Sequence, residues 1–147
     1  MSTEKPVKLI VFNDGESLIG RQYDIDIAKQ FYEFSSLENK ERFDALLHPD
    51  FRVIESDNMP YAGTYKGADG FREIVSIVFG YFETLKVEPV IYTEGEDHVI
   101  ALVNVEGVGK RRGEAFKSDL LEVFRFEGEK IIEIRPYYWN QELIANL

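Results

Sequence analysis

The spacing of apolar and polar positions changes along the chain from a helical period to a strand period. Ile27, Phe31 and Phe34 recur on one face of a helix, and Asp24 or Asp26 precedes them as a capping residue. An acidic side chain also sits well against the positive end of a helix dipole. The pattern therefore predicts a first helix that begins near these two aspartates.

Two further helices are predicted before the long strands begin. One covers residues 40–47, with Asn39 as its cap, and it stops at His48-Pro49 because the residue before a proline resists helical backbone angles. The other has the clearest period in the chain, with Asp69 as its predicted cap. Its apolar stripe follows the i, i+3, i+4, i+7 spacing and consists of Phe71, Ile74, Val75, Val78, Phe79 and Phe82.

The second half of the chain has the period of two that is typical of β-strands. A short strand is predicted over residues 51–55, and four longer strands over residues 87–93, 98–106, 115–126 and 130–138. Because no helical segment separates the four late strands, they predict an antiparallel meander over residues 86–138 instead of βαβ units. The predicted fold class is α+β.

The N-terminal segment carries less information. Residues 1–22 show little pattern beyond a short apolar patch at residues 9–12, and we predict an N-terminal arm or an extra edge strand there. A length of 147 residues fits one domain. Residues 23–147 are therefore predicted to form that domain.

The composition excludes several classes of partner. The formal net charge is −10 and there is no cysteine. Phosphate affinity depends on Lys and Arg, so this charge argues against a nucleic-acid partner. Disulfides and thiolate metal sites are excluded, and the two histidines lack the spacing of metal ligands, so we expect no metal and no cofactor. No apolar run approaches the roughly 20 residues of a membrane span, which predicts a soluble, cytoplasmic protein without a membrane partner.

Four stretches carry a resemblance to a known family. The chain resembles the nuclear transport factor 2-like superfamily, particularly its ketosteroid isomerase and SnoaL-like polyketide cyclase branch, over roughly residues 24–139. The four stretches occur in the family's order: residues 43–51 (FDALLHPDF), 61–67 (YAGTYKG), 121–131 (LEVFRFEGEKI) and 134–139 (IRPYYW). The resemblance implies a cone-shaped half barrel, a curved antiparallel sheet packed by three N-terminal helices, which encloses one apolar pocket.

Glu55 is the first candidate for chemistry. By the period of two, Phe51, Val53 and Glu55 share one face of the first strand. If that face is the inner one, Glu55 lies in an apolar pocket, where burial raises the pKa of a carboxyl group. The alternatives are a Glu55 that bends into solvent or one that pairs with a buried arginine, with three candidates: Arg72, Arg125 and Arg135. In the isomerases a carboxylate at the end of the first strand moves a proton, so the resemblance implies that Glu55 is a general base.

A second acid is expected on the penultimate strand. Glu122 matches the family's hydrogen-bonding acid and shares a strand face with Phe124. An inward Glu122 must be protonated, paired or hydrogen-bonded. In the other register Leu121 and Val123 face the core, and Asp119 becomes the candidate acid. The pattern alone does not decide between the two registers.

The chain departs from the family at the first helix. In ketosteroid isomerases a tyrosine there helps to hold the enolate oxygen, whereas this chain has Phe31, which cannot donate a hydrogen bond. Tyr32 is adjacent, but one step along a helix turns a side chain by about 100°. The steroid isomerase reaction itself is therefore not expected, whereas a cyclase-like reaction with one acid acting on an activated carbon acid remains compatible.

The ligand is expected to be a small apolar or aromatic molecule. Pockets pair apolar walls with few polar groups, and aromatic side chains with polar tips suit the mouth of such a pocket. The predicted ligand-binding residues are Phe31, Tyr32, Tyr61, Tyr65, Phe79, Phe124, Tyr138 and Trp139.

Two hypotheses about function follow. The first is an isomerase or cyclase that transfers a proton on an apolar carbonyl compound through Glu55 or Glu122. The alternative is a non-catalytic ligand-binding or dimerisation module with the same pocket. A homodimer is expected through the outer face of the sheet, to which we assign the apolar residues Leu121, Val123, Val103 and Val105.

Overall fold

The structure is a computed structural model that describes residues 15–36 and 39–147. Its helices are α1 (Gly15–Ser36), α2 (Lys40–Asp44), α3 (Gly67–Phe79) and α4 (Gln141–Ala145). Its strands are β1 (Leu47–Glu55), β2 (Gly63–Lys66), β3 (Phe82–Glu94), β4 (His98–Gly109), β5 (Ala115–Glu127) and β6 (Lys130–Tyr138). The predicted α+β class is confirmed.

The six strands form one curved sheet in the order β2-β1-β6-β5-β4-β3. Neighbouring strands are antiparallel except β1 and β6, which run parallel. Turns alone join β3 to β6, so the predicted meander is confirmed. The ladders shift register between Pro89 and Ile91 and between Arg125 and Phe126, and bulges of this kind bend a sheet.

Aromatic rings tie the helices to the inner face of the sheet. Phe124 on β5 has no exposed surface, and its ring meets Phe31 of α1 edge-on, with the ring centroids 5.4 Å apart. Phe31 also meets Phe71 of α3 edge-on at 5.2 Å. Edge-to-face pairs are a favoured arrangement of aromatic rings, so this cluster holds both long helices against one side of the sheet.

Helix α1 begins at Gly15, so its predicted start near Asp24 or Asp26 is wrong. Residues 15–23 contain no proline, and a helix tolerates the glycine at position 20 at a cost of about 1 kcal/mol. The helix therefore extends in front of both aspartates. Residues 15–22 belong to this helix instead of an arm or an edge strand, and residues 1–14 lie outside the described residues.

Helix α2 has the predicted cap and an earlier end. The side chain of Asn39 accepts a hydrogen bond from the backbone N–H of Arg42 at 3.2 Å. The helix ends at Asp44 instead of residue 47, because Leu47 already pairs with Ile131 of β6 as the first residue of β1.

Helix α3 begins at Gly67, ahead of its predicted cap. Asp69 lies in the first turn, where its carboxylate pairs with Arg72 at 3.1 Å, so it is not the cap. The predicted helical stripe is wrong at Phe82, because the helix ends at Phe79 and Phe82 is the first residue of β3. The strand pairing of Phe82 with Gly109 outweighs its helical spacing.

Two elements lay outside the prediction. Strand β2 pairs with the end of β1 inside a segment that resembles a loop, and four residues are too short to display a period. Helix α4 follows β6, and Asn140 is its N-cap, a residue type that sequence alone associates with a helix start. The Asn140 side chain accepts a hydrogen bond from the N–H of Leu143 at 3.0 Å.

Candidate functional site

A cavity of about 610 Å³ lies between the inner face of the sheet and helices α1 and α3. Its wall is mostly apolar, with Val53, Ile74, Val78, Phe82, Val103, Phe116, Leu120 and Ile134 among the lining residues. Phe79 and Val87 also line the cavity, yet they are 47% and 43% exposed. Solvent therefore reaches the cavity between the end of α3 and the edge strand β3.

Glu55 is the last residue of β1 and it faces this cavity. Phe51, Val53 and Glu55 are all buried, as a shared inner strand face requires, and Glu55 is only 7% exposed. The hydroxyl group of Tyr138 donates a hydrogen bond to Oε1 of Glu55 at 3.0 Å. The hydroxyl group of Tyr61 lies 3.0 Å from that of Tyr138. Three polar groups thus form a short chain in an otherwise apolar wall.

Burial raises the pKa of Glu55 to about 7. The hydrogen bond from Tyr138 opposes this shift because it stabilises the charged carboxylate, whereas the nearby Glu122 adds to it by charge repulsion. A carboxyl group with this pKa exchanges its proton readily near neutral pH.

None of the three candidate arginines pairs with Glu55. Arg72 binds Asp44 through Nη1 at 2.9 Å and also contacts Asp69. Arg125 and Arg135 lie on the outer face of the sheet, where both approach Glu133. No ion pair reaches Glu55 from the residues that the structure describes, so burial decides the direction of its pKa shift.

Glu122 lines the same cavity, which settles the register of β5. Phe116, Leu120 and Phe124 are buried on the inner face, while Asp119 is exposed on the other face. The alternative register is wrong, and Asp119 does not reach the cavity.

Tyr32 donates a hydrogen bond to Oε1 of Glu122. Both Phe31 and Tyr32 line the cavity, although about 100° of helix rotation separates them. Both rings meet Phe124 of β5 edge-on, but Phe31 is buried in the core whereas the hydroxyl group of Tyr32 reaches Glu122. A hydroxyl group from the first helix is therefore present, one residue later than the resemblance implies.

The pKa of Glu122 is also raised, chiefly by burial, and the hydrogen bond from Tyr32 opposes the shift. Burial and the charge of Glu122 raise the pKa of Tyr32 in turn, which keeps its hydroxyl group protonated. The raised pKa makes protonation of Glu122 easier than in an exposed glutamate, and a protonated carboxyl group can itself donate a hydrogen bond.

The cavity brings together five of the eight predicted ligand-binding residues: Phe31, Tyr32, Tyr61, Phe79 and Tyr138. Three others lie outside its wall. Tyr65 donates a hydrogen bond to the backbone carbonyl of Tyr61 at 2.9 Å. Phe124 packs behind the wall, and Trp139 is 85% exposed next to Asp119.

Several wall residues were not predicted. The prediction that Val103 and Val105 lie on the outer face is wrong, since both are buried and line the cavity. Val103 and Val105 alternate with the polar Asn104 and Glu106, so the pattern of β4 itself favours an inner face for the two valines. Ile144 of α4 also lines the cavity, and no periodic signal links that residue to the sheet.

A second, smaller depression of about 350 Å³ lies next to the cavity, at the ends of β1 and β6. The sequence predicted a single pocket. Ser56, Asp57 and Gln141 make this depression polar. Glu55 and Tyr138 line both spaces. The Glu55 carboxyl group therefore lies between an apolar cavity and a polar surface recess.

Two searches of the described part of the chain gave negative results. No group of three or more His, Asp or Glu side chains in residues 15–36 and 39–147 is arranged to hold a metal ion. In the same residues, no helix has the length and apolar character needed to cross a membrane.

Comparisons with known proteins agree with this geometry. An NTF2-like protein from Burkholderia pseudomallei superimposes with a TM-score of 0.72 at 21% identity, covering 83% of this chain and 95% of that one. A protein designated a SnoaL-like polyketide cyclase from Jannaschia sp. gives 0.72 at 13% identity, covering 84% and 90%. A protein with a ketosteroid isomerase-like fold from Catenulispora acidiphila, solved with trimethylamine, gives 0.64 at 18% identity, covering 81% and 90%.

The curved sheet and the helices that cover it have the nuclear transport factor 2-like fold. The model of the SnoaL-like domain matches residues 28–134, which is most of the chain. The chain belongs to the SnoaL-like domain family. A search of curated proteins found no match.

Proposed function

We propose that this protein transfers a proton on an apolar carbonyl compound, with Glu55 as the general base and Glu122 as the hydrogen-bond donor to the carbonyl oxygen. One observation carries the proposal: two carboxyl groups with raised pKa values, the buried Glu55 and the half-buried Glu122, share one apolar cavity. Perturbed pKa values of this kind cluster at functional sites. Similar folds are named as a cyclase and as ketosteroid isomerase-like, which fits this reaction class.

The reaction begins at a carbon next to the carbonyl group. Ionised Glu55 takes the proton, the C–H bond breaks, and its electron pair forms a carbon–carbon double bond while negative charge moves to the carbonyl oxygen. Protonated Glu122 donates a hydrogen bond to that oxygen. Glu55 returns the proton to the same carbon in simple exchange and to a conjugated carbon in an isomerisation. In a ring closure the enolate carbon instead attacks a second carbonyl carbon of the same molecule, whose C=O electron pair moves to oxygen, and the resulting alkoxide takes the proton from Glu55.

Tyr32 supports Glu122 in this scheme. A tyrosine hydroxyl has one hydrogen, and Tyr32 gives it to Oε1 of Glu122. The other oxygen of Glu122 is then the atom that carries the acidic proton. This arrangement replaces the direct tyrosine contact that the family resemblance implies.

The cavity favours an uncharged ligand. Three glutamates line the cavity, namely Glu33, Glu55 and Glu122. The described lining residues include no Lys, Arg or His. An anionic ligand would meet negative potential without a compensating cation. A volume of about 610 Å³ lies in the range of small-molecule sites, roughly 300–1,000 Å³.

The test is proton exchange on a probe ketone. 2-Tetralone is apolar and aromatic and has an activated carbon acid, and its exchange in D₂O is followed by proton NMR. Wild-type protein should accelerate the exchange, and Glu55→Gln should abolish the acceleration, lowering the rate by about 10²-fold or more. Asp119→Asn, a carboxylate lost from the opposite face of the sheet, should retain it. Equal rates for wild type and Glu55→Gln would contradict the proposal.

A non-catalytic binding module is the second candidate. The observation that favours it is Phe31, which packs into the core at the position of the isomerase tyrosine and donates no hydrogen bond. Saturable binding of apolar ketones without any exchange would identify this function.

The partner that we propose is a second copy of the chain, bound through the outer face of the sheet. An apolar row crosses the four strands β3, β4, β5 and β6 on this face. It consists of Ile91, Leu102, Leu121 and Tyr137, each paired in the strand register with the next. Ile91, Leu121 and Tyr137 are 53%, 41% and 52% exposed. A contiguous apolar patch of this kind is typical of an interface.

Charges on either side of the apolar row fit a two-fold arrangement. On one side three arginines surround Glu133, with Arg52 at 2.7 Å, Arg135 at 3.4 Å and Arg125 at 3.6 Å, so positive charge exceeds negative charge. On the other side Asp119 and Glu88 flank Asn104. A two-fold axis near the apolar row brings the arginines of one copy against the acids of the other.

A further inference from the structure

We propose that Tyr138 and Tyr61 are positioning residues that hold Oε1 of Glu55 and leave Oε2 as the oxygen that accepts the proton. The inference rests on the proposed function, because it concerns the base of that reaction. It goes further by assigning roles to two residues outside the base and the oxygen-binding acid, and by naming the reacting atom.

The direction of the hydrogen-bond chain follows from a count of hydrogens. The hydroxyl group of Tyr138 has one hydrogen and donates it to Oε1 of Glu55 at 3.0 Å. Its oxygen therefore accepts from the hydroxyl group of Tyr61, which lies 3.0 Å away. The chain runs from Tyr61 to Tyr138 to Glu55 while the carboxyl group is ionised. Hydrogen bonds in such a chain strengthen one another.

Both tyrosines are fixed by their surroundings. Tyr61 is only 4% exposed, and its backbone carbonyl accepts a hydrogen bond from Tyr65 of β2 at 2.9 Å. Tyr138 ends β6, where its backbone pairs with Leu120 of β5. The hydroxyl group of Tyr138 reaches Glu55 from β6, and that of Tyr61 reaches Tyr138 from the β1–β2 loop. Two elements therefore determine the position of Oε1.

The second oxygen of Glu55 is treated differently. Among the described residues, the only hydrogen bond to the Glu55 carboxyl group is that from Tyr138 to Oε1. Oε2 of Glu55 is also not among the fully buried, unpartnered atoms of the described residues. Since no protein group donates to it, this oxygen has accessible surface. An oxygen without a protein donor beside a ligand-sized cavity is the one that a C–H group can approach.

Four titratable groups face Glu55 from the elements around it. Tyr138 lies on β6, Glu122 on β5, Tyr61 in the β1–β2 loop and Tyr65 on β2. Of these, only the hydrogen bond of Tyr138 lowers the pKa of Glu55, while burial and Glu122 raise it. Loss of the tyrosine hydroxyl groups should therefore make Glu55 a stronger base that is ionised over a narrower range of pH.

The experiment measures the pKa of Glu55 from the carboxyl carbon signal in protein labelled with ¹³C at glutamate Cδ, assigned by its loss in Glu55→Gln. We expect Tyr138→Phe to raise the pKa by about one unit, a tenfold change in the ionisation constant. Tyr61→Phe should raise it by less, because Tyr61 acts through Tyr138. Tyr137→Phe is the matched control, since this neighbouring tyrosine is half exposed on the outer face, and it should leave the pKa unchanged.

The outcomes separate this inference from the proposed function. An unchanged Glu55 pKa in folded Tyr138→Phe and Tyr61→Phe overturns the positioning role and leaves the base intact. A wild-type pKa at its ordinary value of 4.5 removes the neutral-pH base itself. If Tyr138→Phe does not fold, the Glu55 pKa in Tyr61→Phe is the deciding measurement. The hydroxyl group of Tyr61 acts on Glu55 only through Tyr138, so a raised pKa in that variant supports the hydrogen-bond chain and an unchanged one overturns it.

Discussion

Tyr32 of α1 donates a hydrogen bond to Oε1 of Glu122 on β5, and this bond joins a helix to the sheet across the cavity wall. The two residues are far apart in sequence and both carry raised pKa values. The hydrogen bond gives each group a partner in a mostly apolar cavity wall. The acid of the proposed site is therefore held in position by the helix that covers it.

Removal of that hydroxyl group should destabilise the protein. Tyr32→Phe leaves Glu122 buried with one hydrogen bond fewer, and we expect a loss of about 1–3 kcal/mol in the free energy of unfolding. Urea denaturation measures the loss. Tyr81→Phe, a more exposed tyrosine near the cavity mouth, should change the stability by far less. Equal stability of Tyr32→Phe and the wild type would mean that the bond contributes nothing.

The raised pKa of Glu55 predicts how stability depends on pH. Its pKa is about 7 in the folded protein and ordinarily 4.5. Between these values the folded protein keeps a proton that the unfolded chain has lost, so this contribution is complete below pH 4.5 and disappears as pH rises through 7. By pH 8 the loss amounts to about 3 kcal/mol.

Glu55→Gln cannot lose a proton, so its stability should fall less steeply than that of the wild type between pH 5 and 8. Urea midpoints at several pH values measure both curves. Glu129→Gln should follow the wild-type curve because Glu129 is exposed in the turn between β5 and β6. Parallel curves for the wild type and Glu55→Gln would show that Glu55 titrates at its ordinary pKa.

The proposed dimer should depend on the apolar row. Leu121→Asp places a charge at its centre, where both copies meet, and should convert the dimer into monomers in light scattering at micromolar concentration. Ala115→Asp adds the same charge on the same strand but away from the row, and should remain dimeric. A monomeric wild type, or a Leu121→Asp variant of unchanged mass, contradicts this interface.

The acidic cavity should discriminate between ligands by charge. 2-Acetylnaphthalene and 2-naphthoate have the same ring system, and calorimetry compares their affinities. We expect the carboxylate to bind at least about tenfold more weakly, because no cation on the described wall compensates its charge. Equal affinities would indicate that both compounds bind elsewhere.

The sequence predicted the late strands well because glycine-containing turns bound each of them and the period of two continues between the turns. It also predicted that Phe51, Val53 and Glu55 share an inner face, since a strand offers only two faces. Local patterns are sufficient where one face is apolar and the other polar.

The register of β5 could not be predicted for the opposite reason. Leu121 and Val123 on the outer face are as apolar as Leu120 and Phe124 on the inner face, so both registers bury similar side chains. The error for Val103 on β4 has a different origin, because Asn104 and Glu106 alternate with Val103 and Val105 and already indicate an inner face for the valines. Similarly, the reach of Tyr32 depends on how α1 crosses the curved sheet, which no local pattern specifies.

The pH dependence of catalysed 2-tetralone exchange in D₂O tests the central claim most directly. The rate divided by protein concentration should rise with pH and level off with an apparent pKa of about 7, because only ionised Glu55 accepts the proton. Glu55→Gln should show no such rise, and Tyr138→Phe should shift it to higher pH. A profile with its inflection near 4.5, or one that Glu55→Gln leaves intact, would contradict Glu55 as the base.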